Sequence, residues 1–250
     1  MTMKTKLFFS AMLFAFTNAN AQNFSSNEKK NIVKTNLAGL VLRNYNLSYE
    51  RAIMKWFSMN VSYGNLPMGK LPLSKMLFDG DADNEITDIQ ISNTQFTLEP
   101  RFYLSGSKGF GEGFYIAPYY RYTKMSLEGA KYEFYSESTE EELPLTISGK
   151  ATANSFGLMI GNQWILGKND NWVIDFWIAG GHYGSSKGDF DGVSSRILTN
   201  QEQMELEEHL NELDIPVLKY TIQTNDRGAK ISLKGPWAGL RSGLAFGYRF

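Results

Sequence analysis

The last ten residues of the chain, Arg241-Ser-Gly-Leu-Ala-Phe-Gly-Tyr-Arg-Phe250, alternate between two kinds of side chain. One face carries Leu244, Phe246, Tyr248 and Phe250, and the other carries Gly243, Gly247 and Arg249. Successive side chains of a β-strand point to opposite faces, so this segment predicts a strand with one apolar and one polar surface. In a membrane β-barrel the apolar face contacts lipid and the other face lines the lumen. The segment therefore predicts a membrane β-barrel.

The same segment resembles the C-terminal signal by which Gram-negative outer-membrane proteins are recognised for insertion. The resemblance rests on Gly243, on the aromatic residues Phe246 and Tyr248, and on the closing Phe250. It implies that these residues form an assembly signal for the outer-membrane assembly machinery, and that the protein resides in the cell outer membrane.

The beginning of the chain has the pattern of a secretory signal peptide. Two lysines precede the apolar run 7–16, and Ala19 and Ala21 place small residues at the positions that signal peptidase reads. We therefore expect export with a cleaved signal peptide over residues 1–21, followed by one outer-membrane β-barrel domain over residues 22–250.

The composition narrows the function classes. The chain has no cysteine, which excludes disulfides, thiolate metal sites and cysteine nucleophiles, and we expect no metal or cofactor. Its 25 basic and 26 acidic side chains give a formal net charge of −1, so no nucleic-acid partner is expected. The mean hydropathy is −0.31, as in a soluble protein, but alternating strands hide a membrane β-barrel from such an average.

Alternation along the whole chain predicts an all-β fold, an eight-stranded antiparallel transmembrane β-barrel. The predicted strands are 31–41, 45–53, 57–63, 91–104, 114–125, 151–166, 172–183 and 241–250. Pro100 and Pro118 lie within the fourth and fifth strands. They predict a bulge or loose pairing there, because proline cannot donate a hydrogen bond to the neighbouring strand.

The connections between the predicted strands alternate in length. Those after strands three, five and seven are long and charged, 64–90, 126–150 and 184–229, whereas those after strands two, four and six are short or rich in glycine. Bacterial barrels have short periplasmic turns and long extracellular loops, so we expect both termini in the periplasm. Aromatic residues beside the short turns and the chain end predict an interfacial girdle: Trp56, Phe102, Phe114, Trp164, Trp172 and Phe250.

The third long loop is predicted to contain one short helix. Thr199-Asn-Gln-Glu202 is a capping box, Leu206, Leu210 and Leu213 recur at helical spacing, and Pro216 ends the helix. This leucine stripe favours packing on the protein itself over packing on a partner.

A β-hairpin is predicted directly after the helix. Residues 217–224 and 229–233 flank Asn225-Asp-Arg-Gly228, which is typical of a hairpin turn. The hairpin would extend the wall above the membrane, and the alternative barrel has ten strands if the hairpin joins the wall.

Two segments near the start of the domain resemble a known family. They are Asn36-Leu-Ala-Gly-Leu-Val-Leu-Arg-Asn-Tyr-Asn-Leu-Ser-Tyr-Glu-Arg51 and Phe57-Ser-Met-Asn-Val-Ser-Tyr63. They resemble the small outer-membrane β-barrel proteins of Bacteroidetes, an uncharacterised domain-of-unknown-function family in which a Tyr-Glu-Arg or similar triplet closes the second strand. The resemblance covers the first three strands and the last, and it implies a fold and a location but no activity.

Charged residues on the inward face of the strands form a predicted lumen charge network. They are Lys34, Glu50, Glu99, Arg101, Arg121, Asp175 and Arg241. An eight-stranded barrel is just wide enough for side chains to fill, which favours a plug of paired charges. The alternative is a small pore or a ligand-binding barrel that uses the same charges.

Two loop segments imitate ligand-binding motifs. Acidic residues over 79–85 begin like a calcium loop, but Asn84 replaces the required glycine and Gln90 replaces the closing glutamate. Glycines over 109–113 lead into a strand and not into a helix, so they predict a turn and not a phosphate site.

His182 raises the possibility of an enzyme. It lies near the outer end of the seventh strand, close in sequence to Ser185, Ser186 and Asp189, at the depth where outer-membrane lipid hydrolases keep their histidine and serine. A lipid A deacylase-like hydrolase is therefore an alternative function, although neighbours in one loop do not make a triad. The main hypothesis assigns no catalytic residue. It is a non-enzymatic structural or surface-interaction protein that contacts outer-membrane lipid, lipopolysaccharide and an unknown extracellular partner.

Overall fold

The computed structural model describes residues 29–70, 89–104, 110–212 and 217–250. The strands are β1 Asn31–Asn36, β2 Tyr45–Met54, β3 Phe57–Lys70, β4 Gln90–Tyr103, β5 Gly113–Ser136, β6 Glu141–Leu166, β7 Trp172–Ser194, β8 Lys219–Asn225 and β9 Gly228–Arg249. The helices are α1 Leu37–Val41 and α2 Asn200–Glu212. No helix in these ranges is both long and apolar enough to cross a bilayer. The predicted signal peptide lies outside the described residues.

Eight antiparallel strands close into a ring, which confirms the predicted barrel. Strands β1 to β7 pair in sequence, β7 pairs with β9, and β9 closes the ring on β1, from Ile32 opposite Arg249 to Asn36 opposite Ala245. Strand β8 pairs only with the first part of β9 and stays outside the ring. Because the second strand of the hairpin continues directly into the terminal strand, the ring has eight strands and not ten.

The two ends of the barrel differ. We call the end that carries Asn31 and Phe250 the terminal end. The backbones of these two residues exchange two hydrogen bonds of 3.0 and 2.8 Å. Strands β2, β4 and β6 end at this end as well, and strands β3, β5 and β7 end at the opposite, distal end. The ring therefore has the alternation of turns that the sequence predicts.

Strands β5, β6 and β7 continue far beyond the ring. They contain 24, 26 and 23 residues, about twice the length needed to cross a bilayer at a tilt. The prediction of a loop over 126–150 is therefore wrong for most of its length, and the prediction of a loop after residue 183 is wrong where β7 continues to Ser194. The helix and the hairpin predicted further along this segment are found as α2 and as β8 with the first part of β9. We call this distal part of β5, β6, β7 and β9, together with β8, the wall extension.

Helix α2 packs on the lumenal side of the wall extension. Its capping box forms as predicted, with the Thr199 amide donating to Glu202 Oε2 at 2.8 Å and the Glu202 amide donating to Thr199 Oγ1 at 3.3 Å. Leu206 and Leu210 are buried in an apolar cluster with Phe134, Leu143, Leu145, Leu198 and Ala229. The prediction that the leucine stripe packs on the protein itself is confirmed. Leu213 and Pro216 lie outside the described residues.

The first strand is shorter than predicted. It ends at Asn36, and residues 37–41 form α1 in place of the end of the strand. The Asn36 side chain accepts a hydrogen bond from the Gly39 amide at 3.1 Å, so it caps the helix N-terminus. The cap that Asn36 provides therefore favours a helix at residues 37–41, where the alternation alone predicts a strand.

The two prolines loosen one pairing without shifting its register. Strands β4 and β5 pair from Gln90 opposite Glu128 to Leu98 opposite Tyr120, and again from Phe102 opposite Ile116. The interruption contains both Pro100 and Pro118. Of the two predicted outcomes, loose pairing is found and a bulge is not.

Candidate functional site

All seven members of the predicted lumen charge network are buried inside the ring. Lys34 comes from β1, Glu50 from β2, Glu99 and Arg101 from β4, Arg121 from β5, Asp175 from β7 and Arg241 from β9. Six of the seven belong to one connected set of ion pairs, and Arg121 does not.

Arg101 lies at the centre of the connected set. Its guanidinium donates from Nε to Glu99 Oε1 at 2.7 Å and from Nη1 to Asp175 Oδ2 at 2.7 Å. Nη1 also lies 3.1 Å from Glu50 Oε2. The guanidinium carbon is 4.4 Å from the centre of the Tyr115 ring, a cation–π distance. One arginine thereby joins three carboxylates from three strands.

Lys34 uses all of its donors on the same set. Its ammonium donates to Glu50 Oε2 at 2.5 Å, to Asp175 Oδ2 at 2.7 Å and to Gln163 Oε1 at 2.7 Å. An ammonium group has three donors and no acceptor. Lys34 is therefore fully satisfied although its side chain is fully buried.

Uncharged residues complete the hydrogen bonding of the buried carboxylates. Glu50 Oε1 accepts from Ser58 at 2.5 Å and from Tyr103 at 2.6 Å, and Asp175 accepts from Tyr115 at 2.8 Å and from Trp177 at 3.1 Å. These four donors are not among the site residues predicted from the sequence. Strand alternation could have found them, because each donor lies on the inward face with a charged residue. Each is either an even number of positions from a charged residue on its own strand or directly opposite one on the neighbouring strand.

The ion pairs balance within this set. Lys34, Arg101 and Arg241 meet Glu50, Glu99 and Asp175, three positive charges for three negative ones. Buried charges are costly unless they are paired and hydrogen-bonded, and every one of these carboxylates has several donors. The arrangement fills the middle of the lumen with a neutral plug.

The turn between β4 and β5 closes the plug at the terminal end. Phe110 is 1% exposed, and the carbonyl of Gly111 accepts a hydrogen bond from Gln163 Nε2 at 2.5 Å. Gly111 has a φ of 72°, a left-handed conformation that suits glycine. The glycines predicted to form a turn therefore do so and lead directly into β5, although residue 109 lies outside the described residues.

Arg241 and Arg121 lie on the distal side of the plug. Arg241 Nη1 donates to Glu99 Oε2 at 2.6 Å, and its guanidinium carbon lies 4.2 Å from the centre of the Trp177 ring. Arg121 Nε donates to Thr97 Oγ1 at 3.1 Å. Within the part of the chain that the structure describes, no carboxylate lies at ion-pair distance from Arg121.

His182 faces the lumen and not the lipid. Strand β7 has a bulge, because Trp177 pairs with Gly243 but Gly180 pairs with Arg241, so the inward parity changes between these positions. His182 Nδ1 lies 3.1 Å from the Tyr119 hydroxyl. The His182 side chain therefore does not lie on the lipid-facing surface, where a hydrolase acting on membrane lipid would need it.

The serines and the acid near His182 in sequence have other neighbours. Ser186 donates to the Gly235 carbonyl at 3.2 Å, and Asp189 accepts from Ser232 at 2.6 Å. Ser185 is exposed. Among the residues that the structure describes, none of the three forms a hydrogen bond with His182.

The predicted assembly signal lies at the seam of the ring. Phe246, Tyr248 and Phe250 face outward and are partly exposed, and Phe246 stacks on Trp172 with ring centres 5.3 Å apart. Gly243 faces inward, where an added Cβ would lie 2.8 Å from the side-chain nitrogen Nδ2 of Asn36. The strand that carries these residues pairs with both β1 and β7, so it completes the barrel.

Away from the plug, the buried carboxylate of Glu202 holds α2 in place. Arg196 donates to both oxygens of Glu202, at 3.0 and 2.6 Å. These bonds from Arg196, with the Thr199 amide, lower the pKa of Glu202 from its ordinary value of 4.5 to about 2, although burial opposes them. Glu202 is therefore ionised at neutral pH and anchors the helix start.

The described residues contain no group of three or more side chains that could hold a metal ion. The segment that begins like a calcium loop, 79–85, lies outside the described residues.

These features define a small antiparallel β-barrel with a charge-filled interior. The chain belongs to the family described as "Protein of unknown function (DUF3575)", whose model matches residues 7–210. No curated protein matches the chain.

Two solved structures are similar to the chain. CarO of Acinetobacter baumannii is 10% identical over 91% of this chain and 100% of its own, with a TM-score of 0.37. CarO2 of the same organism is 10% identical over 89% of this chain and 98% of its own, with a TM-score of 0.36.

Proposed function

We propose that the protein is an integral outer-membrane β-barrel, exported with a cleaved signal peptide, with a structural or surface-interaction role and no enzymatic activity. The observation that carries this proposal is the reversed polarity of the ring. Ionised groups are buried inside, while large apolar residues such as Phe156, at 71%, and Leu158, at 55%, are exposed outside. Water disfavours exposed clusters of this kind, whereas lipid accommodates them.

The terminal end is assigned to the periplasm and the distal end to the cell exterior. Short turns and both chain ends lie at the periplasmic side of bacterial barrels. Aromatic residues also concentrate at the terminal end, where Trp56 stacks on Phe102 with ring centres 6.1 Å apart. Aromatic side chains of this kind favour the membrane interface.

In this orientation, the outer face of the ring, the wall extension and α2 each have an expected partner. The outer face of the ring contacts outer-membrane lipid, and the wall extension with α2 projects among the lipopolysaccharide sugars and beyond them. The exposed side of α2 carries Glu207 and Glu208 and is available to an extracellular partner. The neutral plug disfavours the alternative of a conducting pore, because the lumen is filled at mid-height.

The enzyme alternative is tested with the His182→Ala variant. We expect lipid A to have the same acyl composition in cells that express the wild-type protein, the variant or neither, because Tyr119 is the hydrogen-bond partner that the structure gives His182. A hydrolytic serine needs a base within hydrogen-bond reach and a group that orients this base. Mass spectrometry of lipid A measures the outcome.

The result that would establish a lipid hydrolase is equally specific. It is a mass shift of one acyl chain that appears with the wild-type protein and disappears with His182→Ala. Ser186→Ala is the matched variant. Because Ser186 donates to a backbone carbonyl, cells that express Ser186→Ala should have the same lipid A as cells that express the wild-type protein.

A further inference from the structure

A cavity of about 350 Å³ occupies the lumen between the plug and α1. Its polar wall consists of amides and hydroxyls: Asn36, Asn44, Asn46, Ser62, Gln95 and Thr97. Arg121 and Arg241 also line it. The volume lies at the lower end of the range for small-molecule sites. We call this cavity the distal cup.

The distal cup contains an uncompensated positive charge. The plug beneath it is neutral, with three cations paired to three carboxylates. Arg121 adds one further positive charge and, among the described residues, has a hydroxyl partner but no carboxylate. Its side chain is mostly buried, so solvent screening of this charge is reduced.

The polar groups around this charge are not fully satisfied within the described protein. Arg241 Nε and the side-chain oxygens of Asn44 and Asn46 are buried without a hydrogen-bond partner. Buried polar groups normally have a partner. The cup thus presents one unused donor, the guanidinium Nε of Arg241, and two unused acceptors, the side-chain oxygens of Asn44 and Asn46.

The two arginines are held in place by aromatic rings. Both guanidinium groups lie over the Tyr119 ring, whose centre is 5.6 Å from the Arg121 guanidinium carbon and 5.3 Å from that of Arg241. Arg241 also lies over the Trp177 ring. Stacking fixes the orientation of a planar guanidinium, so both groups are arranged before any ligand arrives.

From this geometry we propose that the distal cup binds a small polar solute through a carboxylate or phosphate group. The oxyanion contacts the guanidinium groups of Arg121 and Arg241, and the polar remainder of the solute bonds to the asparagine side chains. Guanidinium groups bind planar and tetrahedral oxyanions through paired hydrogen bonds. The site is closed below by the plug, so the solute enters and leaves at the distal end.

The test is calorimetric titration of the refolded full-length mature chain in detergent with inorganic phosphate and, separately, with citrate. We expect saturable binding of one or both anions, which identifies the preferred oxyanion. Arg121→Gln should weaken binding about tenfold or more, because it removes a charged hydrogen-bond donor. Arg227→Gln is the matched control, since Arg227 lies exposed in the β8–β9 turn, and it should leave the affinity unchanged.

Two results would overturn the proposal. One is the absence of saturable binding of either anion to the wild-type chain, and the other is an equal affinity in the wild type and in Arg121→Gln. If Arg121→Gln fails to fold, Arg121→Lys replaces it in the comparison, because lysine keeps the charge but loses the planar fork of donors. An affinity of Arg121→Lys for the bound anion equal to that of the wild type would then contradict the proposal.

Discussion

Replacing Glu50 with alanine is expected to lower the free energy of unfolding by about 3–5 kcal/mol, the usual cost of removing one partner of a buried ion pair. Glu50 Oε2 accepts from Lys34 at 2.5 Å and from Arg101 at 3.1 Å. All three side chains are fully buried. Its removal leaves the three cations of the plug with only Glu99 and Asp175 to balance them. It also leaves the Ser58 and Tyr103 hydroxyls without their acceptor.

Urea unfolding in detergent, followed by the gel shift that distinguishes folded from unfolded barrels, measures this loss. Glu141→Ala is the matched control, because Glu141 pairs with Arg196 at 3.3 Å where the two side chains are 64% and 37% exposed. An exposed pair contributes at most about 1 kcal/mol. Equal effects of the two substitutions would show that the plug does not stabilise the barrel.

Deleting Phe250 is expected to reduce the amount of folded, heat-modifiable protein in the outer-membrane fraction and to increase degradation in the periplasm. The residue belongs to the predicted assembly signal. In the finished barrel its backbone pairs with Asn31 at the seam. The deletion should therefore impair assembly in cells more than it impairs refolding in detergent.

Trp164→Ala serves as the comparison, because Trp164 is an exposed aromatic residue next to the β6–β7 turn and lies outside the signal. It should leave assembly nearly unchanged. Normal assembly without Phe250 would count heavily against the assembly-signal assignment.

The alternation of the terminal strand was sufficient to predict the ring, because the face on which a side chain lies depends only on its position within its own strand. We call this odd or even position the parity of a residue. The same parity placed seven charged residues inside before any contact was known, and all seven are buried. Parity does not give depth along the barrel axis, however. The separation of Arg121 from the carboxylates depends on the register that places it opposite Thr97, and the pairing register is a long-range property.

Other differences also have local physical causes. The bulge in β7 reverses the face of His182, and Gly180-Gly181 beside it was an available signal, since glycine inside a strand often accompanies a bulge. In the wall extension, the distal parts of β5, β6 and β7 were predicted as parts of long, charged loops. The apolar face of the wall extension becomes recognisable only when α2, distant in sequence, covers Phe134 and Leu143.

The central claim is that the barrel spans the outer membrane with its wall extension outside the cell, and cysteine labelling tests it most directly because the chain contains no cysteine. Glu208→Cys places a thiol on the exposed side of α2, and Lys168→Cys places one in the exposed β6–β7 turn at the terminal end. On intact cells, a membrane-impermeant maleimide should label Glu208→Cys and should label Lys168→Cys only after the outer membrane is permeabilised. Labelling of Lys168→Cys in intact cells, or protection of Glu208→Cys there, would contradict the account.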